Sequence, residues 1–266
     1  MKGMKIIVCA KQIPDSEVPS SLVKVDTEQK RVTTSGVPPV INPFDKNALE
    51  AALQIKQENE VEITVISMGE KISASLMKKV LAVGADKLLL LNDPQFEVLD
   101  SRSTAFVLST AIKKIGEFDI ILTGRQAGDW DSGQTGLILA EMLGIAGINL
   151  ARNIRIDDGK VNVEKNIAGG YETVRAEMPA LVTVSSEVGE LRYVPLKGLM
   201  EARKQPLEVW NAEDLEIEPG KLTRVEMATL SPPPDLGRDC SFMKGGSAEE
   251  QGKNLAGILH GIMAAE

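Results

Sequence analysis

Aromatic side chains make up only 3% of this 266-residue chain, so its 43% hydrophobic content is carried mainly by Val, Ile, Leu, Ala and Met. Branched aliphatics suit strands buried on both faces, and a parallel sheet covered by helices is expected. Histidine is nearly absent. The single one, His260, lies close to the C-terminus, which leaves no plausible Ser–His–Asp or Cys–His system. The two cysteines, Cys9 in an apolar run and Cys240 far downstream, form neither a disulfide framework nor a zinc spacing. No apolar run approaches the roughly 18 residues that span a bilayer, and the N-terminal run leads into a charged turn without a cleavage-site pattern. A cytoplasmic protein with no membrane insertion is expected. The net charge of −8 comes without a basic patch, which argues against nucleic acid. A Walker lysine motif is missing, as is G-x-G-x-x-G at any strand end, so P-loop and common dinucleotide chemistry are excluded. What remains is a nucleotide-binding module or a holder of a cofactor that does the chemistry itself.

The most informative stretch is 120–143, IILTGRQAGDWDSGQTGLILAEML. Ile120, Ile121 and Leu122 suit a buried strand, whereas Leu137, Ala140, Glu141 and Leu143 mix apolar and charged positions as a helix does. Between them stand Gly124, Gly128 and Gly133, and either Asp131 or Ser132 is placed to N-cap the helix. A loop of small residues there leaves backbone N–H groups pointing at an anion where the helix dipole is positive. The same composition also serves any strand-to-helix turn of a parallel sheet.

The rest of the chain repeats a β-α-β rhythm. Residues 5–10 read as a first strand, and 23–26 with 31–33 as a small hairpin. After Pro43, Asp45 is the expected N-cap of a helix reaching about Gln57, which puts Asn42 just outside a helix start. Strands follow at 62–67 and 87–91, with helices at 73–83, stopped by Gly84, and at 103–115. Beyond Gly147, segments 151–156, 160–167 and 171–177 are separated by Asp157-Asp158-Gly159 and Gly169-Gly170 and read as antiparallel hairpins, while 180–184 returns to the main sheet. The expected fold is therefore α/β: a doubly wound, mostly parallel, Rossmann-like sheet with an antiparallel hairpin region and an extended C-terminal arm. Residues 1–187 form the nucleotide-binding domain, and 188–266, with Pro206, Pro219 and Pro232-Pro233-Pro234, form a partner-binding loop and arm. The arm ends in a helix at 249–263 with Leu255, Ile258, Leu259 and Ile262 on one face.

Several fragments occur in a telling order: Asn42-Pro43-Phe44-Asp45, the turn Gly84-Ala85-Asp86, then Gly124-Arg125-Gln126-Ala127-Gly128-Asp129. Gly169-Gly170-Tyr171-Glu172-Thr173 follows, with Pro179-Ala180-Leu181-Val182-Thr183, and Arg192-Tyr193 with Leu196, Met200 and Ala202-Arg203-Lys204. Together they resemble the β subunit of an electron-transfer flavoprotein, from the first strand to about Leu215; past Pro219 the likeness is loose.

The resemblance implies a heterodimer with an α subunit that carries a redox-active FAD, and a nucleotide site in this chain. Its members would be Cys9, Asn42, Met68, Gly124, Arg125, Gln126, Ala127, Gly128, Asp129, Asp131, Ser132, Gly133, Gln134 and Thr135. Arg125 is placed to neutralise a phosphate, to lie beside a flavin ring, or to face solvent. The segment Val98-Leu99-Asp100-Ser101-Arg102-Ser103-Thr104 is an expected loop whose Ser101, Arg102 and Thr104 reach the ring. Single-flavin members hold AMP at this site, whereas electron-bifurcating members hold a second FAD that takes hydride from NADH. The small Ser132-Gly133 pair is closer to the bifurcating pattern, and Trp130 departs from both. Leu196, with Arg192 and Tyr193, matches the segment that docks a flavin-dependent dehydrogenase, Leu196 projecting from a loop. A stand-alone nucleotide-binding regulatory module is the alternative of another class, and the Pro-rich arm argues against it.

Overall fold

Short runs of consecutive apolar residues on the central strands, such as Ile6-Ile7-Val8, Leu88-Leu89-Leu90-Leu91 and Ala180-Leu181-Val182, generate a sheet with two covered faces. The computed structural model describes residues 3–264 except 35, 98, 219, 223, 224, 226, 233, 235, 236, 238 and 239. Val98, Pro219 and Pro233 of the sequence-based expectations thus lie outside the described residues. In chain order the elements are β1 (Met4–Cys9), β2 (Gln12–Ile13), β3 (Val23–Asp26), β4 (Arg31–Thr34), β5 (Val40–Ile41), α1 (Pro43–Glu58) and β6 (Val61–Gly69). Next come α2 (Ala74–Met77), α3 (Lys79–Ala82), β7 (Lys87–Asn92), α4 (Ser101–Ile115), β8 (Ile120–Gly124) and α5 (Thr135–Leu143). Then follow β9 (Ala146–Asp157), β10 (Lys160–Ile167), β11 (Gly170–Glu177), β12 (Ala180–Val184), α6 (Leu196–Lys204), β13 (Glu208–Trp210) and α7 (Ala248–Met263).

Nine strands form one sheet in the order β11-β10-β9-β12-β8-β1-β6-β7-β13. Pairings from β9 to β13 are parallel, and β10 and β11 add an antiparallel extension. Pleating sends neighbours of one strand to opposite faces. Ile6, Val8, Ile63 and Val65 therefore pack with Ala48, Leu49, Ala52, Met77 and Val80 on the face of α1 to α3. Ile7, Ile66, Leu89 and Ile121 pack with Ala105, Leu108, Ile112 and Leu139 on the face of α4 and α5. The small hairpin β3–β4 stands outside this sheet.

Four local expectations change. Asp45 does not cap α1: the helix starts at Pro43, whose fixed φ suits a first helical position, and Asn42 occupies the cap position with no side-chain bond to its own turn. Residues 73–83 form two short helices instead of one, joined at Lys78. Ser101, Arg102 and Thr104 lie in the first turn of α4 and not in a loop, because Asp100 accepts a hydrogen bond from the Ser103 amide at 2.6 Å and starts the helix two residues early. Neither Asp131 nor Ser132 caps α5; Gln134 stands at that position.

The chain divides into units Met1–Leu230 and Ser231–Glu266. Residues 188–230, assigned to the arm from their composition, belong with the sheet. β13 closes the open edge of β7, and Ala212, Leu215, Ile217 and Leu222 are buried in the α4-side layer. The second unit holds α7, whose Leu255, Ile258, Leu259, Ile262 and Met263 are all exposed. No helix among the described residues is long and apolar enough to cross a membrane.

Candidate functional site

The chain runs from β1 outward through β6 to β7, then returns to lay β8 on the other side of β1. Strand order therefore reverses between β1 and β8, and the crevice beyond their carboxyl ends is where open α/β sheets bind ligands. Three sequence-predicted groups meet there. Cys9 ends β1, Met68 lies at the end of β6, and Gly124 ends β8 and opens the loop to α5. Burial, followed by the negative charge of Asp45, pushes the Cys9 thiol up to about 12, so it stays protonated and is no nucleophile.

The first turn of α1 holds the loop. The Asn42 side-chain amide donates to the Gln126 carbonyl at 2.9 Å and its oxygen accepts from the Gly128 amide at 3.1 Å. Asn42 thus fixes the loop rather than standing free toward a ligand. The Asp45 carboxylate accepts from the Lys11 amide at 2.7 Å and from the Gly124 amide at 3.1 Å. A Cβ on residue 124 would sit 2.5 Å from Asp45 Oδ1 and 2.7 Å from the Phe44 carbonyl carbon, so only glycine admits this approach. The composition of the loop suggested glycines; nothing in the sequence marked Asp45 as their counterpart.

Further along, the Ala127 carbonyl accepts from the amide of Asp131, Asp131 adopts φ +52°, and its carboxylate accepts from the Gln126 side chain at 2.6 Å. Asp129 pairs with the Lys11 ammonium at 2.7 Å. Neither carboxylate therefore caps α5, and no side chain does, which leaves its first-turn amides, from Thr135 onward, as ready anion donors. Ser132 Oγ lies 3.1 Å from Ser101 Oγ, so the N-terminus of α4 adjoins the loop, with Thr104 in its first turn. The Arg125 guanidinium stacks 4.5 Å from the centre of the Phe44 ring, and its buried Nε has no hydrogen-bond partner among the described residues. Trp130 is exposed on the loop.

A family profile, the electron transfer flavoprotein domain, matches residues 30–215. The chain belongs to the electron transfer flavoprotein family. It is 39% identical over 217 residues to the caffeyl-CoA reductase-Etf complex subunit CarD of Acetobacterium woodii, covering 81% of each chain. It is 38% identical over 220 residues to the electron transfer flavoprotein subunit beta of Thermoanaerobacterium thermosaccharolyticum, covering 82% of this chain and 83% of that one. It is 33% identical over 222 residues to protein FixA of Azorhizobium caulinodans, covering 81% and 78%. As an electron transfer flavoprotein β subunit, it has an electron-transfer role and pairs with an α subunit.

The remaining named residues of this flavoprotein subunit lie around α6. Arg192 is engaged within the chain: its guanidinium donates to Glu50 on α1 at 2.7 and 3.0 Å, and its backbone amide donates to the same carboxylate at 3.0 Å. Burial opposes ionisation of Glu50, but the hydrogen bonds and charge of Arg192 outweigh it and hold the carboxyl below its ordinary range. Beyond this anchor Tyr193 is 88% exposed and Leu196 72% exposed. Leu196 is the first residue of α6 rather than part of a loop. Gly198 seats α6 against α3, since a Cβ there would lie 2.5 Å from the Ala82 carbonyl oxygen, and Lys78 caps the far end by donating to the carbonyls of Arg203 and Gln205. Leu196 therefore stands on a fixed platform.

Proposed function

We propose that this β subunit holds FAD at the β1/β8 crevice and, with its α subunit, carries electrons from NADH to a flavin-dependent dehydrogenase by flavin-based electron bifurcation. The observation that carries the reading is the phosphate end of the site: α5 begins with uncapped amides, and the approach to them is lined by Ser132, Gly133 and Ser101. Small residues leave room for a diphosphate, and the helix N-terminus favours its charge. FAD supplies the two-electron chemistry when bound. The chain binds and orients. Asn42 fixes the backbone of 126–128 against which adenine would lie, Cys9, Met68 and Gly124 form the floor, and Thr135 and its neighbours face the phosphates. Gln126, Ala127, Gly128, Asp129, Asp131 and Gln134 shape the loop, while Thr104 and Arg125 line its flank; the unpartnered Nε of Arg125 suits an acceptor on the flavin or a phosphate.

Support for the assembly comes from two surfaces. The exposed apolar face of α7 suits burial against the α subunit, and the name of the Acetobacterium woodii relative places that protein in a reductase–Etf complex. Tyr193 and Leu196 suit docking of a dehydrogenase, with Arg192 as their anchor. This activity would take place in the cytoplasm.

Nucleotides released from the purified heterodimer test the proposal. Two FAD per heterodimer are expected, one of them bleached by NADH. Gly133→Asn should remove that one. Gly133 has φ +61°, a left-handed conformation that strains any side chain but that Asn bears better than most, and its Cβ would meet nothing nearer than the Arg125 carbonyl oxygen at 3.6 Å, so the variant adds bulk without a clash. Release of one FAD and one AMP from the wild type would overturn bifurcation and make the site an AMP site.

A further inference from the structure

The two lips of the crevice belong to different strands, and one side chain joins them. Lys11 N leaves β1 and Gly124 N leaves β8; each donates to a different oxygen of Asp45. Asp45 stands in the first turn of α1, where an acidic residue ordinarily accepts from its own helix. Here its carboxylate turns to two amides from elsewhere. The lip separation is thereby set by the span of one carboxylate, while Asn42, one turn earlier, holds the loop at Gln126 and Gly128. The closeness of Gly124 to Asp45 leaves no slack in this arrangement.

We propose that Asp45 is the positioning residue of the nucleotide crevice, its ionised carboxylate fixing the β1 and β8 exits at the distance the ligand requires. This deepens the nucleotide reading given above and rests on it. A carboxylate offers acceptors on both oxygens, whereas a carboxylic acid turns one oxygen into a donor, which would face an N–H. The protonated oxygen keeps only a weak acceptor lone pair, so protonation loosens one lip.

The surroundings place that event near neutrality. Asp45 is 7% exposed, and burial lifts its carboxyl to about 7 although the Lys11 amide, Asn42, the Gly124 amide and the Lys11 charge pull it back. The charged and titratable groups around the crevice are Cys9 below it, Lys11 with its partner Asp129, and Arg125 over Phe44, with Glu187 contributing charge beside Arg125. Cys9 stays neutral at physiological pH and the Lys11 ammonium is paired with Asp129, so the Asp45 carboxyl, lifted to about 7, is the shifted group that faces both amides.

The test uses the heterodimer stripped of nucleotide, with FAD and AMP titrated separately from about pH 8.5 to about pH 5.5 in wild type and in Asp45→Asn. Wild-type affinity should fall about tenfold on acidification, the worth of one hydrogen bond to a charged group. Asp45→Asn should match the acidic wild type at every pH, since its side-chain amide also presents one donor to an N–H. A pH profile that survives in Asp45→Asn overturns the proposal. Amide exchange in the wild type needs neither the variant nor a ligand. Corrected for intrinsic rates, Lys11 and Gly124 should lose about tenfold protection across the same range while Gly128, held by uncharged Asn42, keeps its own. Equal behaviour of the three amides overturns the proposal too. If neither FAD nor AMP binds at any pH, the nucleotide reading fails, and the exchange of the three amides alone decides the role of Asp45.

Discussion

Replacing Gly124 by alanine should be the most damaging single methyl group that can be added to the loop. The new Cβ would lie 2.5 Å from Asp45 Oδ1, 2.7 Å from the Phe44 carbonyl carbon and 2.8 Å from the Asp45 amide nitrogen. Two of these are backbone atoms of the first turn of α1, which cannot rotate away. Either the turn retreats by nearly the whole overlap or the β8 exit does, and both movements break the bond between the Gly124 amide and Asp45. Overpacking costs about 1–3 kcal/mol. Losing a hydrogen bond to a charged group adds about 1.5–3 kcal/mol. The sum, roughly 3–6 kcal/mol, is a large part of the roughly 5–15 kcal/mol that holds a domain together. At about 2–4 °C per kcal/mol for a chain of this length, the midpoint should drop by on the order of 10 °C. Gly128→Ala is the control four residues away: its Cβ would meet Ile13 at 3.4 Å and Asn42 Oδ1 at 3.6 Å, ordinary contacts, and should cost within about 0.5 kcal/mol. Denaturant unfolding of both variants, with nucleotide content measured alongside, decides the matter. If they unfold at the same denaturant concentration as each other, the steric argument is wrong.

The two buried carboxyls of α1 should answer acid in opposite senses. Glu50, held below its ordinary range by Arg192, contributes stability that is present above its unfolded value and lost as pH falls through its folded one; unfolding midpoints of Glu50→Gln should lack that acid slope. Asp45, raised by burial to about 7, contributes stability that is complete below its unfolded value and declines as pH rises through about 7, and Asp45→Asn should flatten the neutral slope. Leu196→Ala should weaken dehydrogenase association by about 2 kcal/mol or more while leaving thermal midpoint and nucleotide content unchanged, because the side chain is exposed on its platform; wild-type electron transfer to the dehydrogenase would remove Leu196 as an anchor. Ile258→Asp on the exposed face of α7 should shift the heterodimer toward free subunits in analytical ultracentrifugation without altering the unfolding of the sheet, and an unchanged sedimentation profile would exclude that face from the assembly.

The strands and most helices were legible because each carries its period locally: Ile6, Ile7 and Val8 alternate faces, and Ser101 to Ile115 keeps one apolar stripe. What misled is equally physical. Asp45 and Asp131 have the chemistry of N-caps, and a sequence offers no means of telling that a better acceptor use lies elsewhere, across the fold at Lys11 and Gly124 for Asp45 and within the same loop at Gln126 for Asp131. Asp100 does cap, so α4 starts at Ser101, two residues before the expected start at 103, and the end of the expected loop is helix. β13 escaped notice because three residues, Glu208–Trp210, are too few to show a period; the free edge of β7 recruits them. The order of strand, glycine loop and helix around residue 124 is what the sequence shows of the candidate site, whereas the links between α1 and that loop are non-local and needed coordinates. Arg192 shows the same limit from the other side, since a charged residue beside an exposed Tyr193 suggests a surface contact until Glu50 is seen beneath it.

Helix α1 meets the loop that follows β8 through Asn42 and Asp45 and the segment that leads to α6 through Asn47, Glu50 and Gln54, which bind Gly189, Arg192 and Val188. One rigid rod thus acts as a ruler for two errands. Inserting a single residue between Asp45 and Asn47 would turn one set of grips by about 100° and displace it by about 1.5 Å relative to the other. The helix can neither gain nor lose a residue there without misaligning the proposed nucleotide crevice from the proposed docking platform. A segment 188–204 transplanted from a relative would therefore have to arrive with the matching α1, and the two regions can be exchanged only as a pair.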